Sequence, residues 1–315
     1  MSKTNLTAAN CSAASPFGYI LLLLSGAFWG SGGYWITKMT ATGAGPSATA
    51  FTGHFFALPF LAILIYARHG KAGFRMSAKG ILYCALLGIL TKGVFKLTYD
   101  TTVTLVGVAM GSILLYLAPV FTAVMSVLLF KEKLTAQKII ALALNFVGCA
   151  LVVTGGNFTE LNISGLGLLL GVISGFLYAL NTVLGKLTTG LNSPLTAAFY
   201  MLVFSSLTTG LSSGVWQQAG YFIRGDFMLW ALINSIFTGF LANVCFFEGL
   251  ALGVDASKAT ILASVEVIVA TLTGILFLSE VINWVGIIGI VIMFASIILM
   301  NIKLSSANRK PTAGF

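Results

Sequence analysis

LLYLAPVFTAVMSVLLFKEKL, residues 114–134, returns later in the chain as LASVEVIVATLTGILFLSEVI, residues 262–282. Setting Glu132 over Glu280 also places Leu114 on Leu262, Leu128 on Leu276, Phe146 on Phe294 and Leu151 on Leu299. Single matches carry little weight in a chain so rich in Leu and Ile. One shift of about 148 residues, however, also brings Ser25-Gly26 close to Ser174-Gly175, and self-similarity at one fixed period marks a duplicated unit.

Composition assigns that unit to a membrane. The 315 residues are 58% hydrophobic and 8% charged, whereas about a quarter of a soluble domain is charged. Mean hydropathy is +1.00. The net charge of +9 comes from Lys and Arg in short segments between apolar runs, so it reads as membrane flanks and not as a nucleic-acid surface. Cys11, Cys84, Cys149 and Cys245 have neither metal-binding nor redox spacing, and no cofactor is expected.

Apolar runs at 17–39, 46–67, 80–98, 103–130, 135–155, 164–187, 194–215, 227–250, 256–279 and 282–302 are each near the roughly 20 residues that a membrane-crossing helix needs. The first run is too long for the apolar core of a signal peptide. The expectation is an all-α polytopic protein of ten transmembrane helices. Its parts are a tail at 1–16, five-helix units at 17–155 and 164–303, a linker at 156–163 and a tail at 304–315. Lys3, Arg68, Lys71, Arg75, Lys79, Lys131, Lys133, Lys138, Lys186, Lys303, Arg309 and Lys310 all fall on one side if both termini are cytoplasmic, which the positive-inside tendency favours. Five is an odd number, so the second unit enters with opposite polarity, giving a 5+5 inverted repeat. Many secondary transporters build a midplane site that way.

FWGSGGYWITK in the first run, LLYLAPVFTAVMSVLLFKEKLT in the fourth and Leu278-Ser279-Glu280 in the ninth resemble the drug/metabolite transporter superfamily, specifically its EamA-type ten-helix members. The resemblance spans nearly the whole chain and implies movement of amino acids, other metabolites or drugs, commonly outward, in a bacterial inner (plasma) membrane. It departs from the family at Glu266-Val267, where Glu-Pro is frequent.

Polar residues deep in apolar runs are the candidates for function. Glu266 lies near mid-bilayer, where a carboxylate must face protein, water or a cation. It either contacts a substrate ammonium or titrates, or it bonds to a neighbouring helix. Lys92, Lys96 and Asp100 follow one helix face. Lys96 with Asp100 reads as a pair, while Lys92 either takes a substrate anion or pairs with Glu266 or Glu248. His54 is a proton carrier or a hydrogen-bonded core histidine. Trp29, Tyr116 and Tyr178 line a cavity or fill the core, and Asn181 and Asn243 are amides that need partners. Lys258, Asp255 and Glu248 form a candidate inner gate, against the plainer reading of an interface pair. Gly26 and Gly30 form a small-xxx-small pair suited to close helix packing.

These features favour a secondary transporter whose partners are a small-molecule substrate such as an amino acid, the lipid bilayer and protons. An intramembrane enzyme, receptor or scaffold is the alternative. Nothing in the chain matches G-x-x-x-x-G-K-[ST] or H-E-x-x-H, so neither ATP-driven pumping nor a zinc-protease site is encoded.

Overall fold

The computed structural model describes residues 15–157, 159, 164–189, 191–211, 213–278 and 282–301, and the regular structure among them is entirely helical. Glu280, Cys11 and the basic residues of the two tails lie outside the described residues, as does the side chain of Asp100. Among the described residues, seven helical runs are long and apolar enough to cross a membrane, and Trp284–Met300 is a shorter apolar helix.

The helices begin where backbone chemistry allows. Pro16, Pro46 and Pro194 sit in the first turns of α1 (Pro16–Gly30), α3 (Pro46–Phe55) and α10 (Pro194–Gly210), where a missing N–H costs nothing. Ser77 and Thr135 accept first-turn N–H groups of α5 (Ala78–Gly88) and α8 (Ala136–Thr154) through their hydroxyls. Helix α8 stops at Gly155, which takes the left-handed conformation (φ 58°) and bonds back to Leu151 O.

Several runs are interrupted inside the apolar region. Ser31 separates α1 from α2 (Gly32–Thr40), and Phe56 separates α3 from α4 (Ala57–His69). A π turn at Ile89–Val94 joins α5 to α6 (Phe95–Leu115), and Tyr116-Leu117 separates α6 from α7 (Ala118–Phe130). Beyond α9 (Gly165–Thr189), α10 and the short α11 (Ser213–Trp216), the pattern recurs. A second π turn, Ser235–Leu241, joins α12 (Gly225–Asn234) to α13 (Ala242–Ala251). Ser264 separates α14 (Ala256–Ala263) from α15 (Val265–Leu278), and α16 (Trp284–Asn301) follows. Tyr116 and Ser264 occupy equivalent positions under the register that overlays Glu132 on Glu280.

The expected boundary between the third and fourth runs, at 98–103, falls inside a segment that bonds as one helix. Phe95–Leu115 is one helix by hydrogen bonding, yet Tyr99 Oη lies 3.3 Å from Ser112 Oγ. Thirteen residues of straight helix would separate them by about 20 Å, so the chain reverses within α6.

The main contacts cross between the two parts of the chain. Helix α1 packs on α13, α14 and α15, while α9 packs on α5, α6 and α7; α8 lies along α16, and α10 meets α3, α4 and α5. Leu128, Leu276 and Ile63 are more than 60% exposed on the outside of the bundle, where an apolar side chain fits only a lipid surface.

Gly26 and Gly30 set how closely α1 meets its neighbours. A β-carbon at Gly26 would run into the Ala263 carbonyl, and one at Gly30 into the Glu266 carbonyl. Backbone cannot retreat as a flexible side chain can. Gly30→Val is therefore expected to destabilise the protein by about 1–3 kcal/mol, the usual cost of overpacking. Gly33→Ala, whose added β-carbon meets nothing within 4 Å, should leave thermal unfolding in detergent unchanged. Equal melting of both variants would show that α1 does not depend on this approach.

Candidate functional site

A cavity of about 430 Å³ opens where the helix interruptions meet, a volume within the usual range for small-molecule sites. Trp29 from α1, His54 from α3, Lys92 from the first π turn, Tyr178 and Asn181 from α9, and Glu266 from α15 all line it. These are six of the eight expected substrate residues.

The break at Ser264 explains how Glu266 is accommodated. Ser264 Oγ lies 2.8 Å from Asn145 Oδ1 and 2.5 Å from Ile261 O, tying the broken end to α8 and to the preceding turn. Glu266 then falls in the first turn of α15, where the helix dipole favours negative charge. Tyr178 Oη donates a 2.7 Å hydrogen bond to Glu266 Oε2. The frequent family proline is thus dispensable for the interruption in this chain.

Lys92 occupies a π turn, whose wider spacing swings a side chain away from an α-helical path. Its Nζ stands 5.3 Å from the centroid of the Trp29 ring, a cation–π arrangement, and Trp29 is braced by Phe246 at 5.1 Å between centroids. Among the described residues, no carboxylate lies within 4 Å of Lys92 Nζ. Neither Glu266 nor Glu248 is its direct ion-pair partner. His54 Nδ1 lies 2.8 Å from Ser205 Oγ, and Thr91 Oγ1 donates to Asn181 Oδ1 at 3.3 Å, so both keep a protein partner while facing the cavity.

Two expected residues sit elsewhere. Asn243 is a brace for the second π turn: its Nδ2 donates to Thr238 O at 3.2 Å and to Gly239 O at 2.7 Å, carbonyls whose α-helical bonds the wider turn disturbs. Tyr116 closes the end of α6 and packs on the apolar core. Asn234, Thr238 and Thr49 line the cavity without having stood out in the sequence, because single Thr and Asn residues in apolar helices are common as local hydrogen-bonders.

The expected trio of Lys258, Asp255 and Glu248 does not assemble. Glu248 pairs with Arg68 at 3.3 Å, Asp255 with Lys138 at 3.3 Å, and Lys258 Nζ stands 5.8 Å from the centroid of Tyr19. The centre of charge at that end is instead Glu132, whose side chain is only 8% exposed. Helix α7 ends at Lys131 in the left-handed conformation (φ 55°), and the chain turns back so that Glu132 N bonds to Ser126 O. The carboxylate reaches the start of α14, accepting from Ala256 N at 2.9 Å and Ser257 Oγ at 2.6 Å. Lys186 Nζ and Lys138 Nζ lie 3.0 and 3.3 Å from its oxygens, and Lys138 continues to Asp255. One carboxylate joins α7, α8, α9 and α14. Spacing along the chain concealed it, since Lys186, Ala256 and Ser257 are all distant in sequence and Lys138 alone is near.

These features define an integral membrane protein with a polar cavity between its helices. Residues 16–154 and 165–302 each match the model of the EamA-like transporter family, and the chain belongs to that family. The resemblance to the drug/metabolite transporter superfamily is thereby borne out. An uncharacterized transporter of Archaeoglobus fulgidus is 30% identical over 205 residues, covering 64% of this chain and 70% of that protein. The uncharacterized transporter YyaM of Bacillus subtilis is 23% identical over 286 residues, covering 81% and 92%. A crystal structure of a protein 13% identical superposes with a TM-score of 0.72 over 90% of this chain and 96% of that one, which shows a shared fold. The protein is a membrane transporter, and its partners are a small-molecule substrate and the lipid bilayer.

The Glu132 cluster is expected to stabilise the protein in a pH-dependent way. Burial raises the carboxyl pKa, but Lys186, Ser257 and Lys138 outweigh it and hold the group below the ordinary carboxylate range. A depressed folded pKa adds stability that is fully present above the unfolded value of about 4.3 and is lost as pH falls through the folded value. Glu132→Gln should therefore cost on the order of 3 kcal/mol at pH 7, with the gap to wild type closing below about pH 4. Chemical unfolding of both proteins across that range checks it, and a gap unchanged in acid would rule out the charge.

Proposed function

We propose that this transporter is secondary, driven without ATP, and moves small polar metabolites of the amino-acid class by alternating access. The observation that carries this reading is Lys92: a cavity-lining ammonium beside Trp29, with no carboxylate among the described residues inside 4 Å, across a cavity that also holds Glu266. A zwitterion supplies both missing charges. Its carboxylate would replace the water or anion that Lys92 otherwise requires, and its ammonium would meet Glu266 between the faces of Trp29 and Tyr178. Outward transport from the cytoplasm of a bacterial inner membrane is what the family resemblance implies.

The reading takes the chain as ten spans in a 5+5 inverted repeat with both termini cytoplasmic. Support comes from two matched family units, a π turn in each, the interruptions at Tyr116 and Ser264, and contacts of α1 that α9 reproduces on the opposite set of helices. In this state the Glu132 cluster joins the helix ends on the Lys- and Arg-rich side. The cavity extends the other way, towards Thr40 and Thr49 near the α2–α3 connection. Alternating access would require the cluster to part as that other side closes.

Proton coupling through Glu266 or His54 belongs to the same proposal, and the receptor, scaffold and enzyme alternatives predict no flux. In proteoliposomes, Lys92→Gln should weaken binding of amino acids by about 1.5–3 kcal/mol, the worth of a charged hydrogen bond, and leave decarboxylated amines almost unaffected. Glu266→Gln should show the converse preference if Glu266 binds the ammonium. If it carries a proton instead, binding and counterflow should survive while pH-driven accumulation disappears. Absence of flux with every labelled amino acid, organic acid and amine would overturn the transport of polar metabolites.

A further inference from the structure

A second cleft, of about 370 Å³, lies apart from the central cavity at the Lys- and Arg-rich end of the bundle. Its walls come from two segments: the end of α4 and the turn after it, with His69 and Arg75, and the start of α10, with Asn192, Ser193 and Thr196. The turn is strapped in place. Thr196 Oγ1 donates to Gly73 O at 2.6 Å, Tyr200 Oη donates to Phe74 O at 2.9 Å, and Phe74 meets the Phe199 ring edge-on at 5.5 Å. The cleft is thus a shaped part of the fold.

Its charge is one-sided. The nearby Arg68 is taken up by Glu248, but among the described residues His69, Lys71, Arg75 and Lys79 have no carboxylate within 4 Å, and no acidic side chain lines the cleft. The polar groups of Asn192, Ser193 and Thr196 offer neutral hydrogen-bonding around this cationic rim. Such a set suits an anion with several oxygens, which an arginine fork holds in two places at once.

The surroundings indicate where the anion comes from. Immediately before the turn, α4 presents Ile63 and Tyr66 outward, and immediately after it α5 presents Leu82, each more than half exposed. The cleft therefore sits where the lipid-facing apolar surface gives way to polar chain. We propose that it binds the phosphate of an anionic membrane lipid, whose acyl chains lie on these apolar strips while Arg75 and His69 hold the headgroup.

The full chain, purified in a neutral detergent, tests this with three probes: phosphatidylglycerol, phosphatidylcholine and inorganic phosphate. Phosphatidylglycerol should raise the thermal unfolding midpoint several-fold more than phosphatidylcholine, and inorganic phosphate should leave it unmoved. His69→Gln with Arg75→Gln, both exposed side chains, should abolish the difference between the two lipids, whereas Lys131→Gln with Lys133→Gln should preserve it. Equal shifts with both lipids, or an undiminished difference in the His69/Arg75 variant, would overturn the site. Equal loss in the Lys131/Lys133 variant would reduce it to bulk surface charge, and a full shift from inorganic phosphate would overturn the lipid assignment. The wild-type comparison requires no variant to fold.

Discussion

A helix interrupted inside a bilayer leaves carbonyl and amide groups with no water to bond, so each interruption must be resolved by other parts of the protein. That constraint organises this molecule. Asn145 and Ser264 secure the break ahead of α15, Asn243 secures the π turn ahead of α13, and Thr91 and Asn181 join the first π turn to α9. The cavity lies among these repairs because an interrupted helix exposes directional backbone and side-chain groups that a continuous one keeps to itself.

Charge is distributed by the same logic. Glu266 is placed at a helix start and bonded by Tyr178, while Lys92 faces the Trp29 ring with no carboxylate of the described residues within 4 Å, so the two walls of the cavity differ in how fully they are satisfied. At the Lys- and Arg-rich end the arrangement is reversed. Glu132 is saturated by two ammonium groups, a hydroxyl and a backbone N–H, and it binds pieces of both family units to one another. A saturated cluster at one end and a less satisfied cavity beyond it are what the proposed alternating access would use.

The sequence exposed the ionic residues of the cavity because charge in an apolar run is rare enough to mark itself. Lys92 and Glu266 were legible for that reason, and His54, Trp29, Tyr178 and Asn181 from depth alone. Glu132 was not, since a glutamate flanked by Lys131 and Lys133 looks like any turn facing the headgroups, and its partners lie in α8, α9 and α14. The same limit misassigned Asp255 and Glu248, which bond to Lys138 and Arg68 and not to their neighbours in sequence. Hydropathy also placed a boundary at 98–103, and the Tyr99–Ser112 contact puts a reversal between those two residues, inside a segment that bonds as one helix. The break at Ser264 occurs without proline because a serine and a distant asparagine perform the task.

The π turn at Ser235–Leu241 has one further implication. Such a turn contains one residue more than the α-helical path between the same ends, and each residue in an α-helix advances the azimuth by about 100°. Everything from Ala242 onward is thereby rotated relative to α12. The faces that α13 offers to α1 and to the cavity are consequently fixed by a count and not by a side chain. A shortening of one residue there would leave composition, hydropathy and every polar group almost intact, yet it would turn Phe246 away from Trp29 and dismantle a wall of the cavity from a distance.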